Sequence, residues 1–369
     1  MTGRLANFLS RPGWHILALL LLLSQPLSAI AAGPVQAASV SASDNPLQEK
    51  QLSQLEKIVL TKLEFYATQF PEINFIILDS AADTSRNMHA LAKIIGQDPV
   101  PLDYEHPEDL RDTLLRVTLD RIEYLLNMDA GSSTLIKPGK DAIAKRKAVC
   151  VVTMNPWAIA KDDQAATRHL LEISDSDFEV ISPKNYLDHV SHLQFSLDHE
   201  AYHCLDSYYN GAIPMSQLQR WGGYNMRKNE LGADAFASVM NIATHSRVTP
   251  YIRTLKNIRG LTLLADDPDH YTYPAIKAAL QLNPLSLAQS DVHERFRIAT
   301  TIRTRINGSY DDYIRYTRAV RYAVRRLTGK NKEHDLKNEK IDYDLVKSLV
   351  DDTRRAYVQL FGREISPVK

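Results

Sequence analysis

One pentapeptide constrains this chain more than any other feature, namely His199-Glu200-Ala201-Tyr202-His203. In an α-helix, side chains four residues apart project from the same side, so both histidines can reach one metal ion. The glutamate beside the first histidine can then take a proton from a water molecule on that metal. The pattern therefore predicts a helix with His199 and His203 as metal ligands and Glu200 as a general base.

The sequence around the pentapeptide has helical periodicity between Tyr186 and Tyr209. Its apolar side chains form one stripe when residues are placed about 100° apart around the helix axis. The stripe consists of Val190, Leu193, Leu197, Ala201, Cys204, Leu205 and Tyr208. His199 and His203 fall nearly opposite the stripe, which predicts a helix that packs on a core with one side and lines a cleft with the other.

A third metal ligand is predicted in a second helical segment. A catalytic zinc site has three protein ligands and keeps one coordination position open. The sixth residue after His203 is Tyr209, so no third histidine stands at the metzincin spacing. The second helical segment contains Asn229-Glu230-Leu231-Gly232-Ala233-Asp234. Glu230 and Asp234 share one face of it, and Glu230 is the candidate ligand. The alternative is that both acids form an exposed face and bind nothing.

The two segments together resemble the gluzincins, the thermolysin-like zinc metallopeptidases, in which H-E-x-x-H is followed by N-E-x-x-x-D. The form E-L-G-A-D-A-F-A of residues 230–237 is also similar to helices of the HtpX-related and ImmA/IrrE-like peptidases. The resemblance covers His189–Ile242 and departs from the pattern at Tyr202, where many relatives have glycine. It implies a zinc-dependent peptidase that acts on a peptide or protein substrate.

The resemblance also implies a role for each matching residue. His199, His203 and Glu230 would be ligands of Zn²⁺, and Glu200 would be the general base. Asp234 would accept a hydrogen bond from the remaining N–H of a ligand histidine and so fix its tautomer.

Peptide hydrolysis passes through a state with a negatively charged oxygen on the attacked carbonyl, and a hydrogen-bond donor stabilises this oxyanion. Gluzincins commonly place a His or Tyr for this role after the third ligand, so we expect such a donor downstream of Glu230. His270 is the candidate, since it lies in a loop before a predicted helix and H-Y-T-Y-P loosely resembles the His-Pro segment of the HtpX-related group. His245 would lie about 22 Å along the predicted helix from Glu230, which is too far. Tyr224 and Tyr271 are the alternatives, and a histidine that only caps a helix is another.

Two other functions remain open on sequence grounds. One is a zinc-binding assembly or chaperone-like factor with little or no proteolytic activity. The other is a binding protein in which the histidine helix is structural. His192, two turns before His199, is either a satisfied histidine or a substitute ligand.

The N-terminus has the layout of a secretory signal peptide. Two arginines precede an apolar run at Ile16–Leu23, and Ala29–Ala31 forms a small-x-small cleavage site. We expect a signal peptide over residues 1–31, a flexible leader over residues 32–44, and a periplasmic or secreted mature chain without a transmembrane span. An uncleaved anchor is the alternative, although the run is shorter than the ~20 residues that span a bilayer.

The mature sequence predicts an α+β fold, with a mixed α/β front half over residues 45–209 and a mainly helical rear half over residues 210–369. Predicted elements of the front half are helices at 45–70, Ser85–Ile95 and Pro107–Met128, strands at Ile73–Leu78, Ala148–Met154 and Phe178–Ile181, and a loop at Gly131–Lys140. Breaks between the rear helices are predicted at Asn210–Pro214, Gly222-Gly223, Asp266–Asp269, Asn283-Pro284 and Asn307-Gly308. Ala148–Met154 and Phe178–Ile181 are candidates to hold an extended peptide through main-chain hydrogen bonds.

Charge and cysteine content exclude other classes of protein. The chain has 44 Lys+Arg and 44 Asp+Glu, so it lacks the basic excess of a dedicated nucleic-acid binder. Its two cysteines exclude a disulfide scaffold. Cys150 and Cys204 are either buried thiols or a disulfide that ties a strand to the histidine helix. The basic segment 295–332 is either a solvated helix face or a weak contact with an anionic surface.

Overall fold

A computed structural model describes residues 46–95, 110–127, 131–136, 147–171, 182–211, 215–265, 268–329 and 340–365 of the chain. The predicted signal peptide, the leader and the strand at Phe178–Ile181 lie outside these residues. The described residues form an α+β fold with a small three-stranded sheet and a mainly helical rear half. The fold class predicted from the sequence is therefore confirmed.

The helices and strands begin and end as follows. The first elements are α1 (Pro46–Gln69), β1 (Ile73–Asp79), α2 (Thr84–Ile95), α3 (Leu110–Asn127), β2 (Ser132–Ile136), β3 (Ala148–Met154), α4 (Pro156–Ala160) and α5 (Asp163–Leu171). The remaining elements are α6 (His189–Tyr209), α7 (Met215–His245), α8 (Pro250–Arg259), a 3₁₀ turn (Thr262–Ala265), α9 (Tyr273–Ala279), α10 (Pro284–Gln289), α11 (Val292–Asn307), α12 (Tyr310–Thr328) and α13 (Tyr343–Phe361).

The chain divides into two compact units that interleave along the sequence. The α/β unit contains the described residues of 46–161 and 192–219. The helical unit contains those of 162–191 and 220–365. The linear boundary after residue 209 stays a prediction from the sequence.

The sheet of the α/β unit has the order β1-β3-β2. β1 runs parallel to β3, with Ile73 opposite Ala148, and β2 runs antiparallel to β3, with Ile136 opposite Val149. Every residue of β3 is buried, and β3 is the central strand of the sheet. The apolar and β-branched character of Ala148–Met154 therefore predicted this strand correctly.

The predicted loop at Gly131–Lys140 is wrong over Ser132–Ile136, which form β2. Glycine and serine at the start of this segment suggested a loop, but the next three residues, Thr134, Leu135 and Ile136, suit a strand. Leu135 is buried, and the segment hydrogen-bonds to β3. Pairing with a strand that lies later in the sequence thus outweighed the local composition.

The predicted break at Gly222-Gly223 is also wrong, because α7 continues through both glycines. A side chain at position 223 would collide with the hydroxyl group of Tyr313 in α12. The glycine therefore leaves room for the Tyr313 side chain beside α7, and the helix continues although a glycine costs ~1 kcal/mol within a helix. The break at Asn307-Gly308 is confirmed, with Gly308 in a positive-φ conformation.

In the helical unit, α13 packs on α8 and α12. The predicted basic segment corresponds to most of α11 and α12, where Arg315 is exposed and Arg303 is buried. Its contact with an anionic surface stays a prediction.

None of the helices in the described part of the chain has an apolar stretch long enough to cross a membrane.

Cys150 of β3 and Cys204 of α6 form a disulfide bond, with their Cα atoms 5.7 Å apart. Both residues are buried. The alternative of two separate thiols is therefore not realised. The bond ties the central strand to the residue that directly follows His203.

We expect reduction of this disulfide to lower the free energy of unfolding by about 4 kcal/mol, because the bond closes a chain separation of 54 residues. Denaturant titrations with and without a reductant measure the effect. A Cys150→Ala/Cys204→Ala variant is the control and should not respond to reductant. Two titratable thiols in the unfolded, unreduced protein would contradict the bond.

Candidate metal centre

The paired histidines lie on α6, which begins three residues later than predicted. The Nε2 atoms of His199 and His203 are 3.2 Å apart, and the two rings are nearly perpendicular. Two nitrogen atoms that each lie about 2.0–2.1 Å from one zinc ion at a tetrahedral angle are about 3.3 Å apart. The observed distance suits a shared ion, and it also suits a hydrogen bond between the two rings.

The surroundings of α6 differ from the predicted cleft wall. The centre of the apolar stripe, from Leu193 to Leu205, is buried as expected, but Phe195, Asp198, His199 and Tyr202 are buried as well. The side of α6 that carries the histidines is therefore more enclosed than predicted, with His203 and Asp206 partly exposed, and the cleft stays a prediction. Tyr202 has 0% exposure and contributes a large aromatic ring to the interior, where many gluzincins have glycine.

A buried ion pair anchors the start of the histidine motif to α1. Both carboxylate oxygens of Asp198 accept hydrogen bonds from Lys62 Nζ, at 2.7 and 2.8 Å. The hydroxyl of Tyr66 donates to Asp198 Oδ1 at 2.6 Å. Because a buried carboxylate is tolerated only when it is paired and hydrogen-bonded, these contacts fix the helix one residue before His199.

The carboxylate of Glu200 is buried, with only 8% of the residue exposed. Its Oε2 atom has no hydrogen-bond partner among the described residues. Ser133 of β2 donates its hydroxyl to the backbone oxygen of Glu200 at 2.9 Å, and Gly131 lies close to Oε1. A buried carboxylate oxygen of this kind is costly unless a further polar group binds there, which fits a water molecule beside a metal ion.

Glu230 lies on α7 in the helical unit and is partly buried. Its Oε2 atom is 3.6 Å from Nε2 of His270, which precedes α9. His270 is therefore next to the predicted third ligand. The donor role assigned to it stays a prediction.

One potential ligand atom from each of His199, His203 and Glu230 lies within 4.8 Å of the others. Two imidazole nitrogens and one carboxylate oxygen are donors that zinc accepts in catalytic sites. The residues therefore fit the predicted metal in type and number, and the group could hold a metal ion.

Asp234 has 0% exposure and lies one turn after Glu230 on α7. Its Oδ2 atom is 2.9 Å from Nε of Arg259, at the end of α8, and also accepts a hydrogen bond from the hydroxyl of Thr272. Asp234 thus connects α7 to two later segments. The predicted hydrogen bond to a ligand histidine stays a prediction.

The alternative residues have other environments. His192 is buried within α6, and His245 is exposed at the end of α7. Tyr224 donates its hydroxyl to the backbone oxygen of Gly308 at 2.9 Å. Tyr271 is buried, and burial raises the pKa of its hydroxyl well above its usual value.

A second group of metal-binding residue types, Asp163, Asp188 and His189, lies at the start of α5 and α6. Asp163 Oδ1 accepts hydrogen bonds from the backbone N–H of His189 and is 2.7 Å from its Nδ1. Asp188 caps the backbone N–H of Ser191. Both carboxylates are exposed and serve as helix-terminal acceptors, so capping explains the group.

Sequence reasoning missed Asp198, Lys62, Arg259 and Thr272. Two features could have indicated buried acids that need partners. Asp198 stands directly before the motif, and Asp234 stands among the apolar residues of the segment 231–240. Each acid needs a partner if it is buried, but the partners lie far away in the sequence.

Ala148–Met154 was a candidate to bind a peptide, and this prediction is wrong because β3 pairs with β1 and β2 on both edges.

No protein-family model, characterised protein or solved structure matches the chain. The resemblance to the gluzincins therefore rests on the motifs alone. What the structure adds is the His-His-Glu group.

We expect the purified protein to bind about one zinc ion per chain. His199→Ala, His203→Ala and Glu230→Gln should each remove most of the metal, because each histidine substitution deletes an imidazole donor and Glu230→Gln replaces the anionic carboxylate with a neutral amide. Metal analysis after dialysis measures this. His245→Ala is the matched control, since His245 is exposed on the same helix as Glu230. A wild-type protein that takes up no added zinc would contradict the site.

Proposed function

We propose that this protein is an exported zinc-dependent metallopeptidase that hydrolyses peptide bonds. The observation that carries the proposal is the His199–His203–Glu230 group together with the buried carboxylate of Glu200 on the same helix. When bound, zinc would polarise a water molecule and the carbonyl group of the substrate. The three residues of the group would hold the metal.

Glu200 is the general base of the proposed reaction. Its Oε2 atom takes a proton from the attacking water as the new C–O bond forms. The same proton then passes to the nitrogen of the leaving amine as the C–N bond breaks, so Glu200 ends the cycle as a carboxylate.

His270 is proposed to donate a hydrogen bond to the oxyanion that develops on the substrate carbonyl. Its support is the 3.6 Å contact with Glu230, which brings its ring beside a proposed ligand. Asp234 supports the ligand helix through its buried contacts with Arg259 and Thr272.

We expect Glu200→Gln to retain about one zinc ion per chain and to lose roughly 10²–10⁴-fold in peptide hydrolysis, because the amide cannot take the proton. Cleavage of a peptide library by both forms, with metal analysis, measures the two effects. Glu64→Gln is the control, since Glu64 is exposed on α1. Zinc binding without hydrolysis by the wild type would instead favour a zinc-binding assembly or chaperone-like factor.

Export is supported by the signal-peptide pattern of residues 1–31 and by the Cys150–Cys204 bond, because disulfides persist mainly outside the cytoplasm. We expect the mature chain to begin near Ala32. N-terminal sequencing of protein from the native host, in soluble and membrane fractions, measures this. An intact Met1 in the membrane fraction would contradict cleavage and favour the anchor.

A further inference from the structure

We propose that the loop Pro268–Thr272, which carries His270, is held beside Glu230 by two clamps that both lead back to α7, each with a hydrogen bond to one end of the loop. The first clamp joins Asp234 to Thr272. The second joins Arg227, through Tyr316, to Pro268. Thr272 and Tyr316 are therefore positioning residues for His270. The catalytic consequence rests on the proposed function, whereas the clamps themselves do not.

The first clamp fixes the C-terminal end of the loop. The hydroxyl of Thr272 donates to Oδ2 of Asp234, and both residues have 0% exposure. Arg259 compensates the buried charge of Asp234 from the other side, with Nε at 2.9 Å from Oδ2. Charge-assisted hydrogen bonds in buried surroundings are strong and well oriented, so the position of Thr272 relative to α7 is tightly restrained.

The second clamp fixes the N-terminal end of the loop. The hydroxyl of Tyr316, on α12, donates to the backbone oxygen of Pro268 at 2.8 Å. The guanidinium group of Arg227 lies 3.8 Å from the centre of the Tyr316 ring, a favourable cation–π distance. Arg227 is buried and also donates to Asn307 Oδ1 at 2.8 Å, which holds its guanidinium group in place.

The two clamps start from one side of α7. Arg227 lies three residues before Glu230 and Asp234 lies four residues after it, and residues at these spacings are neighbours on a helix surface. The helix that presents Glu230 therefore also restrains both ends of the loop opposite it. Loops usually position side chains less accurately than helices do, and this arrangement removes that disadvantage for His270.

Within the loop, the backbone N–H of Thr272 donates to the backbone oxygen of His270 at 2.7 Å. This contact closes a tight turn directly after His270. Thr272 thus contacts α7 through its side chain and His270 through its backbone. A shift of Thr272 would move the His270 ring away from Glu230.

The first experiment measures backbone hydrogen exchange of residues 269–272 in the full-length protein. Thr272→Val and Tyr316→Phe each remove one hydroxyl group, and we expect exchange in this loop to rise about fivefold, the equivalent of one hydrogen bond of ~1 kcal/mol. Thr272→Ser retains the hydroxyl and should exchange like the wild type.

The matched controls are Thr301→Val and Tyr322→Phe. Thr301 is exposed, and its hydroxyl bonds within α11 to the backbone oxygen of Arg297, while Tyr322 lies on the same helix as Tyr316. Loop exchange that rises no more in the clamp variants than in these controls would overturn the proposal. So would a rise spread evenly over the helical unit, because that indicates general destabilisation. If Thr272→Val fails to fold, Tyr316→Phe decides the outcome.

The second experiment tests whether Thr272 acts through His270. We expect Thr272→Val to lower kcat of the zinc-loaded protein while its zinc affinity stays within about twofold, since Thr272 binds no ligand of the metal group. In a His270→Ala background the same substitution should cause no further loss. Additive losses would overturn the positioning role. Absence of hydrolysis by the wild type would refute the proposed function, and the exchange experiment would still decide on the clamps.

Discussion

The histidine motif depends on the burial of three consecutive polar side chains, Asp198, His199 and Glu200. Such burial is unfavourable unless each group has a partner, and the α/β unit supplies partners of different kinds. Lys62 and Tyr66 satisfy Asp198 completely, so this residue serves as a structural anchor. Glu200 has a buried oxygen without a partner among the described residues, which is the atom to which we assign the general-base role in the proposed reaction. One turn of helix thus holds a hydrogen-bonded acid and the proposed base.

The helical unit uses the same principle on α7. Asp234 is the fully satisfied acid, with Arg259 and Thr272 as its partners. Glu230, one turn earlier, is the acid that belongs to the metal group. In both helices a carboxylate with protein partners accompanies one to which we assign a role in the proposed reaction, and the former is the more deeply buried.

The sequence predicts the elements whose patterns are local. The β-branched run of β3 and the periodicity of α6 suffice to locate them, and residue types with four-residue spacing suffice to propose His199, His203 and Glu200. Prediction from the sequence fails where a contact between residues far apart in the chain decides which secondary structure forms. β2 becomes a strand because β3 pairs with it, and α7 continues through Gly223, beside which the side chain of Tyr313 lies. The partners of the buried acids are unpredictable for the same reason.

The Cys150–Cys204 bond has a consequence for when the histidine helix becomes fully supported. Thiols remain reduced in the cytoplasm, so a chain exported as proposed carries no covalent tie between β3 and α6 while it is being made. The tie forms only after the chain crosses the membrane. The helix α6 then gains its covalent link to β3 only outside the cytoplasm. Inside the cell that synthesises the protein, the chain lacks this constraint.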